Sequence, residues 1–181
     1  MKIHSLTRPW LLLISVILFS LIPLRSAAAE IPVEGVIAQY GDSTINLANG
    51  WGGANACHVG DDIAICFDSE AEMDAWLANT GRSTARGANG ASCSSSLRLY
   101  DGTSYTGASL NLTTRLHWLN LSSYGFDQRT SSYKVGPCDT RFNDFGAGGG
   151  ALYPLYLTNA YDQATSMLSG WNNRVSSVWI Y

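Results

Sequence analysis

The sequence predicts an all-β fold that is rich in turns and built from a duplicated unit. Glycine, serine, threonine, asparagine and aromatic residues are abundant, and only one short segment has a helical pattern. Residues 125–135 recur as residues 170–180, sharing a glycine, an aromatic residue, Asp or Asn, an amide, an arginine, a β-branched residue and two serines before a strand-like run. A repeat of this length is typical of a duplicated supersecondary unit.

Residues 1–29 have the pattern of a signal peptide. Lys2 and Arg8 precede an apolar run over residues 10–22, and residues 27–29 are all alanine, the small-residue pattern that a signal peptidase cleaves. The run is short for a membrane span, and a second apolar run does not follow it. We therefore expect a secreted protein that has no membrane association after cleavage; an uncleaved anchor is the alternative.

The chain beyond residue 29 is acidic. Three of the eleven basic residues and none of the fourteen acidic residues lie in residues 1–29, which leaves eight basic residues against fourteen acidic ones and a formal charge of −6. Lys134 is the only lysine that remains. An acidic chain is a poor partner for nucleic acids and anionic membranes, so these classes are excluded and cations are the natural small partners.

All four cysteines lie beyond the predicted signal peptide, at Cys57, Cys66, Cys93 and Cys138. An even number of cysteines in an exported chain predicts two disulfides, and four cysteines allow three pairings. A zinc site is the competing interpretation, but the spacing lacks the Cys-x-x-Cys pair that is common at such sites.

Four strand-like runs precede the helical pattern of the N-terminal segment, residues 30–80. They lie at residues 36–40, 44–47, 56–59 and 63–67. The turn-forming residues 60–62 between the last two runs predict a hairpin. Cys57 and Cys66 would face each other across that hairpin, where a bridge is geometrically easy, so we favour the pair Cys57–Cys66.

The one helical pattern follows this hairpin. Ser69 and Glu72 have the spacing of a capping box, which predicts a helix start. The helix is expected to run to about Asn79, with Gly81 as its stop. Residues 81–92 are rich in glycine, serine and alanine without periodicity, so they are predicted to be a linker.

The remaining chain is predicted to form two Greek-key motifs, motif one over residues 93–137 and motif two over residues 138–181. Strand-like runs in motif one lie at residues 96–100, 110–113, 116–119 and 131–135. Four short strands with one long connection suit a Greek key, in which the fourth strand returns beside the first. That return would bring Cys93 near Cys138, so we favour Cys93–Cys138 as the second disulfide.

Motif two repeats the start of motif one with a change in its hairpin. Residues 98–101 recur as residues 141–144 at an offset of 43. Motif one has Tyr105 two residues before Gly107, and motif two has Gly148 at the position of Tyr105. The lost aromatic side chain and the gained glycine predict a looser hairpin in motif two.

These patterns resemble those of the βγ-crystallin superfamily. The aromatic hairpin signature of that superfamily is matched by Tyr100, Tyr105 and Gly107. Residues 172–177 match its calcium signature in full, and residues 127–132 match it except at Gln128. The resemblance covers residues 93–181 and implies a βγ-crystallin-like double Greek-key sandwich, with the hairpin-plus-helix segment outside it.

The resemblance also implies up to two calcium sites between the paired motifs. In the family, each signature supplies a hydroxyl and backbone carbonyl oxygens, and the partner motif supplies further oxygens. Carried over to this chain, two serines would give hydroxyls, two arginines would give carbonyls, and Asp127 and Asn172 would supply oxygens or hold the turns. The six candidate metal-site residues are Asp127, Arg129, Ser131, Asn172, Arg174 and Ser176.

Three departures from the signature predict weak calcium binding. Gln128 replaces Asn or Asp, Asp127 is the only carboxylate, and both variable positions that would offer carbonyls are arginines. Low ligand charge moves calcium affinity toward roughly 10⁻⁴–10⁻³ M. The alternative is that the same polar residues only form turns and begin strands.

We therefore expect a non-enzymatic, monomeric, secreted module that binds calcium or has a structural role. Nucleophile-elbow, zinc-protease and phosphate-loop motifs are not found in the sequence. One alternative is a secreted peptidase inhibitor, which the resemblance to microbial metalloproteinase inhibitors implies; its candidate reactive loops are residues 57–66 and 153–163. Another is a carbohydrate or cell-wall binder that uses the tryptophans Trp118, Trp171 and Trp179.

Overall fold

The computed structural model describes residues 34–80 and 96–181. The predicted signal peptide, the predicted linker and Cys93 lie outside these residues. Within the described part of the chain, every helix is too short or too polar to cross a membrane.

The described residues contain eleven strands and one α-helix. In chain order the strands are β1 (Ile37–Tyr40), β2 (Ser43–Asn46), β3 (Ala56–Val59), β4 (Ala64–Phe67), β5 (Leu97–Tyr100), β6 (Ser109–Leu112), β7 (Trp118–Asn120), β8 (Ser132–Val135), β9 (Thr140–Asn143), β10 (Gln163–Ala164) and β11 (Ser177–Ile180). The helix α1 spans Glu70–Thr80. Each predicted strand-like run corresponds to an observed strand, with small differences at the ends.

Helix α1 begins where its capping residues predict. The Glu72 N–H donates to Ser69 Oγ at 3.3 Å, and the Glu72 carboxylate accepts from the Asp68 N–H at 3.2 Å. Met73 and Leu77 are buried against Ala56 of β3. The helix therefore covers the outer face of the sheet to which β3 belongs.

The strands form two sheets that exchange one strand between the motifs. Sheet one has the order β10-β8-β5-β6-β3-β4-β1-β2, and sheet two has the order β7-β11-β9. Strand β7 belongs to motif one but pairs with β11 of motif two, and β10 of motif two pairs with β8 of motif one. Because each sheet contains strands of both motifs, the predicted all-β, double Greek-key fold is confirmed.

The N-terminal segment extends sheet one. Strand β3 pairs in parallel with β6, from Ala56 opposite Ser109 to Val59 opposite Leu112. Strands β4, β1 and β2 follow outward from β3. Sheet one therefore has eight strands, whereas sheet two has three and ends at a single bridge between Asn143 and Leu152.

The core lies between the inner faces of the two sheets. Its centre is aromatic: the Tyr133 ring lies 5.0 Å from that of Phe142 and 5.9 Å from that of Tyr153, each at 88°. The Tyr133 hydroxyl donates to the Leu157 carbonyl at 2.6 Å, so it is buried with a partner. Burial of each such large side chain contributes roughly 1.5–3 kcal/mol. The core therefore joins the two motifs as well as the two sheets.

One predicted disulfide is confirmed. Cys57 and Cys66 are opposite residues of β3 and β4 and are bridged, with their Cα atoms 4.1 Å apart. This bridge removes two thiols from the alternative zinc site. Cys138 is disulfide-bonded, and the prediction for its partner, Cys93, lies outside the described residues.

The hairpin of motif two obtains its aromatic contact from motif one. A Cβ atom on Gly148, which has φ +75°, would lie 2.2 Å from Cε2 of Trp118 on β7. The Trp118 ring in turn contacts that of Trp179 at 5.4 Å. The glycine therefore makes room for a tryptophan from the other motif, where we expected a loose hairpin.

Candidate functional site

The two signature segments lie side by side and are joined through their backbones. We call residues 125–132 loop one and residues 170–177 loop two. The Gln128 N–H donates to the Val175 carbonyl at 3.0 Å, and the Asn173 N–H donates to the Thr130 carbonyl at 2.9 Å. The two bonds are related by the repeat offset, so the loops form a pseudo-twofold pair.

One side-chain bond crosses this pair. The Ser131 hydroxyl, in a residue only 4% exposed, donates to Asn173 Oδ1 at 3.0 Å. No equivalent bond joins Ser176 to Gln128 among the described residues. Each first serine therefore faces the second position of the other signature. Ser131 has an asparagine there, Asn173, whereas Ser176 has the departing residue Gln128.

Asn173 is a candidate ligand that the sequence-based site omitted. The signal was present, because Asn173 is the second asparagine of the complete signature. It was missed because the sequence does not show which oxygens of the partner motif lie beside each serine. The structure brings the second position of one loop to the first serine of the other.

The side chains of Arg129 and Arg174, two of the predicted site residues, point toward the hairpins of their own motifs. Arg129 Nη2 donates to Asp101 Oδ2 at 2.7 Å, and its Nη1 donates to the Gly125 carbonyl at 2.8 Å. Arg174 Nη2 donates to Asp144 Oδ2 at 2.6 Å. The guanidinium charges are therefore balanced by carboxylates instead of standing unpaired beside the signatures.

Aromatic rings flank both guanidinium groups. Arg129 Cζ lies 5.0 Å from the ring of Phe126, and Arg174 Cζ lies 5.0 Å from the ring of Trp171. A cation held over an aromatic face gains a further attraction. Each arginine side chain is thus held on two sides, which fixes the backbone of its loop.

Asp101 and Asp144 are positioning residues that sequence reasoning missed. Oδ1 of each accepts a hairpin N–H, from Ala108 at 2.7 Å and from Ala151 at 2.5 Å. Burial would raise the pKa of the Asp144 carboxyl, but hydrogen bonds from Arg174 and Ala151 outweigh it and lower that pKa below its ordinary value. The signal in the sequence was that Asp101 recurs as Asp144 and that Arg129 recurs as Arg174.

The second serine of each signature fastens the loop to its hairpin. Ser132 Oγ donates to the Gly102 carbonyl at 2.6 Å and accepts from the Tyr105 N–H at 3.1 Å. Ser177 Oγ donates to the Phe145 carbonyl at 2.6 Å and accepts from the Gly148 N–H at 3.0 Å. The two serines of a signature therefore have separate tasks.

The other predicted site residues lie at the outside of the loops. Asp127 and Asn172 are exposed, and neither side chain makes a hydrogen bond to a described residue. Residues 34–80 and 96–181 contain no group of three or more His, Cys, Asp or Glu placed to hold a metal ion. A cation here would therefore depend mainly on hydroxyl, amide and carbonyl oxygens, with Asp127 as the one carboxylate of the two signatures, a ligand set that suits a hard ion at low affinity.

The N-terminal segment covers loop one and not loop two. The Trp51 indole N–H donates to the Tyr124 carbonyl at 2.7 Å, and its ring stacks on Phe126 at 5.6 Å and 26°. A Cβ atom on Gly125 would lie 2.2 Å from the Leu47 carbonyl oxygen, whereas one on Gly170 would meet nothing within 4 Å.

Comparison with known proteins finds similarity to solved βγ-crystallin structures only. No family model matches the chain, and no curated protein matches its sequence. A βγ-crystallin from an archaeon is 17% identical, with a TM-score of 0.41, and covers 49% of this chain and 100% of its own. A βγ-crystallin from Ciona intestinalis is 19% identical (48% and 99%, TM-score 0.40), and a βγ-crystallin domain from Flavobacterium johnsoniae is 24% identical (47% and 92%, TM-score 0.39). Because these TM-scores are below 0.5, the fold assignment rests on the strand pairing described above.

Proposed function

We propose that this chain is a secreted, calcium-binding structural module of the βγ-crystallin type. The observation that supports the proposal best is the pairing of Ser131 Oγ with Asn173 Oδ1 at 3.0 Å across the two loops. Hydroxyl and amide oxygens that converge from two rigid loops are suitable ligands for a hard cation.

The backbone supplies a second line of support. The carbonyl oxygens of Arg129 and Arg174 accept no hydrogen bond from any described residue. The better site would then consist of Ser131 Oγ, Asn173 Oδ1 and the Arg129 carbonyl. The weaker site would consist of Ser176 Oγ, Gln128 and the Arg174 carbonyl. Asp127 and Asn172 are exposed and free to contribute further oxygens.

Weak calcium binding would still stabilise the module outside the cell. An ion that binds only the folded form adds RT ln(1 + [L]/Kd) to the free energy of unfolding, about 1.4 kcal/mol when its concentration is ten times Kd. The ion would lie between motifs one and two, so the added stability would act against their separation.

Calorimetric titration of calcium into the metal-stripped mature chain, residues 30–181, tests this proposal. We expect one tighter binding event with a raised melting temperature, and loss of that event in Ser131→Ala. The matched control is Ser169→Ala, which removes an exposed hydroxyl outside both loops. Absence of heat together with an unchanged melting temperature in millimolar calcium would leave the signatures as turn and strand-start chemistry.

A second candidate function, inhibition of a secreted peptidase, is favoured by one loop. The segment between Tyr153 and Gln163 exposes Tyr156 by 72% and Tyr161 by 76%. Its backbone is fixed nonetheless, because Thr158 is fully buried and exchanges hydrogen bonds with Thr140 at 2.8 Å. A loop that is both exposed and held in one conformation loses little entropy on binding.

The inhibitor hypothesis predicts one-to-one inhibition of a secreted peptidase. Thermolysin and subtilisin represent the metallo and serine classes, and Tyr156→Ala should weaken inhibition at an unchanged melting temperature. The control is Tyr181→Ala, which removes an exposed tyrosine outside this loop. Full activity of both peptidases in the presence of excess protein would reject this function for these two classes.

A further inference from the structure

An open cleft lies between strand β7 and the chain that leads into β1. It has a volume of about 580 Å³ and is lined by Glu34, Trp118, Asn120 and Ser123 among others. A second cleft of about 500 Å³ adjoins it and shares His117, Val36 and Tyr124 as lining. The two together form a groove whose volume is in the range of small-molecule sites.

The groove collects polar groups that have spare hydrogen-bonding capacity. The Glu34 carboxylate and the Ser122 and Ser123 hydroxyls make no hydrogen bond to any described residue. Asn120 Oδ1 accepts from the Ala147 N–H at 2.6 Å, which leaves its amide NH₂ group as a donor.

His117 adds an acceptor to the same groove. Its Nδ1 lies 3.0 Å from the Arg115 carbonyl oxygen. A carbonyl oxygen can only accept, so the neutral ring is assigned a proton on Nδ1, and Nε2 remains an acceptor. Donors and acceptors of several kinds therefore border one groove.

Trp118 lines the groove, and its ring is held in place by neighbouring residues. The Trp118 ring is packed against Gly148 on one side and contacts Trp179 at 5.4 Å. A side chain fixed in this way loses little freedom when a ligand arrives. The glycine of the motif-two hairpin is thus linked to the groove, because a larger residue there would displace this ring.

Trp171 and Trp179, the other two tryptophans that the sequence suggested for carbohydrate binding, do not line this groove. Trp171 packs on Tyr153 at 5.2 Å, and the Trp179 indole N–H is buried without a partner. Among the described tryptophans, Trp118 is the one that lines the groove.

We propose that this groove binds a neutral oligosaccharide. Sugar rings combine an apolar C–H face, which suits an aromatic wall, with hydroxyls that both donate and accept, which suits carboxylate, amide, imidazole and serine groups. The formal charge of −6 beyond the predicted signal peptide disfavours an anionic polysaccharide. Two adjoining clefts provide space for more than one ring.

Titration of the ¹⁵N-labelled mature chain with soluble tetrasaccharides tests the proposal. The probes are tetrasaccharides derived from chitin, cellulose, starch and mannan. We expect at least one of them to shift the Trp118 indole resonance and the amides of residues 117–123, in calcium-free as well as calcium-containing buffer. This site is independent of the calcium proposal, so either can fail alone.

Variants distinguish specific binding from surface contact. Ser123→Ala should raise Kd about tenfold or less and Glu34→Ala should raise it roughly ten- to a hundredfold, the losses expected for one hydrogen bond to a neutral and to a charged group. Asp42→Ala removes an equal charge from the exposed β1–β2 turn and should bind as the wild type does. Trp118→Leu should abolish binding, and its melting curve reports whether it folds.

Three results would count against the proposal. One is the absence of shifts with all four tetrasaccharides at millimolar concentration. Another is unchanged affinity in both Glu34→Ala and Ser123→Ala, which would place the binding surface elsewhere. A shift produced by an unrelated neutral tetrapeptide of similar size would likewise count against sugar recognition.

Discussion

Loop one and loop two are two copies of one design in different surroundings. Both join their arginine to an aspartate of their own hairpin, and both use their second serine to hold that hairpin. They differ where they meet something outside the repeat. Gly125 lies under Leu47 of the N-terminal segment, and Gly170 faces open space.

This comparison separates two kinds of position. The arginine and the second serine, which are the same in both loops, hold each loop to its own hairpin, whereas the first serine of loop one, Ser131, bonds across to loop two. Residues that differ, such as Gln128 against Asn173 and Thr130 against Val175, face the other loop or the core. The duplicated unit therefore keeps the hydrogen bonds between each loop and its hairpin and differs where the loop meets other parts of the molecule. Substitutions at matched positions can test each loop separately.

The largest expected difference between the loops is at their glycines. Gly125→Ala should lower the free energy of unfolding by roughly 2–5 kcal/mol, because left-handed backbone strain adds to overlap with the Leu47 carbonyl. Gly170→Ala should cost about 1 kcal/mol, from backbone strain alone. Urea unfolding of both variants measures the difference. Equal losses would mean that the N-terminal segment does not press on loop one.

The second serines should matter equally in both loops. Ser132→Ala and Ser177→Ala each leave a hairpin carbonyl and a hairpin N–H without their partner, which should cost roughly 1–3 kcal/mol. Ser131→Ala should cost less in calcium-free buffer because it removes one bond to an asparagine side chain. Chemical denaturation of the three variants checks this order, and a Ser131→Ala loss as large as the others would contradict the division of tasks.

A buried hydroxyl distinguishes Thr130 from its counterpart Val175. Thr130 is fully buried, and its Oγ1 has no partner among the described residues. Thr130→Val should therefore raise the free energy of unfolding by about 1 kcal/mol, and Val175→Thr should lower it by roughly 1–3 kcal/mol. Thermal melts of both variants give the signs; a destabilised Thr130→Val would show that the hydroxyl has a role.

The ion pair between Arg174 of loop two and Asp144 should make the stability of the module sensitive to acid. The folded-state pKa of Asp144 is lowered from an ordinary 3.8, so its contribution is fully present above about pH 4 and is lost as pH falls through the folded-state value. Arg174→Met should remove part of this dependence. Unfolding measured from pH 6 to pH 2 in calcium-free buffer tests it, and parallel curves for variant and wild type would argue against the pair.

The smallest expected effect on stability is at Gln128. It has φ +52°, a conformation that Asn adopts more readily than Gln. Gln128→Asn should stabilise the fold by a few tenths to about 1 kcal/mol, and under the calcium proposal it should also make the second site bind more tightly. Calorimetry reports both effects. Asn173→Gln is the matched control and should weaken the better site.

Most of the local structure could be predicted from the chain, because neighbouring residues determine it. The capping pair Ser69 and Glu72 begins a helix wherever a following apolar face can be buried. The Cys57–Cys66 bridge follows from one hairpin. The bond between Ser131 and Asn173 could not be predicted with the same ease, since its partners are 42 residues apart.

The repeat, the strand-forming runs, the acidic charge and the chemistry available in each signature can all be identified from the sequence alone. Three features depend on long-range packing: β3 pairs in parallel with β6, β7 joins the sheet of motif two, and Trp118 fills the space left by Gly148. The pairing of Arg129 and Arg174 with aspartates depends on the same packing. The physical reason is that hairpins and helix caps depend on contacts within a few residues, whereas sheet order and side-chain partners depend on which distant surfaces bury the most apolar area and satisfy their polar groups.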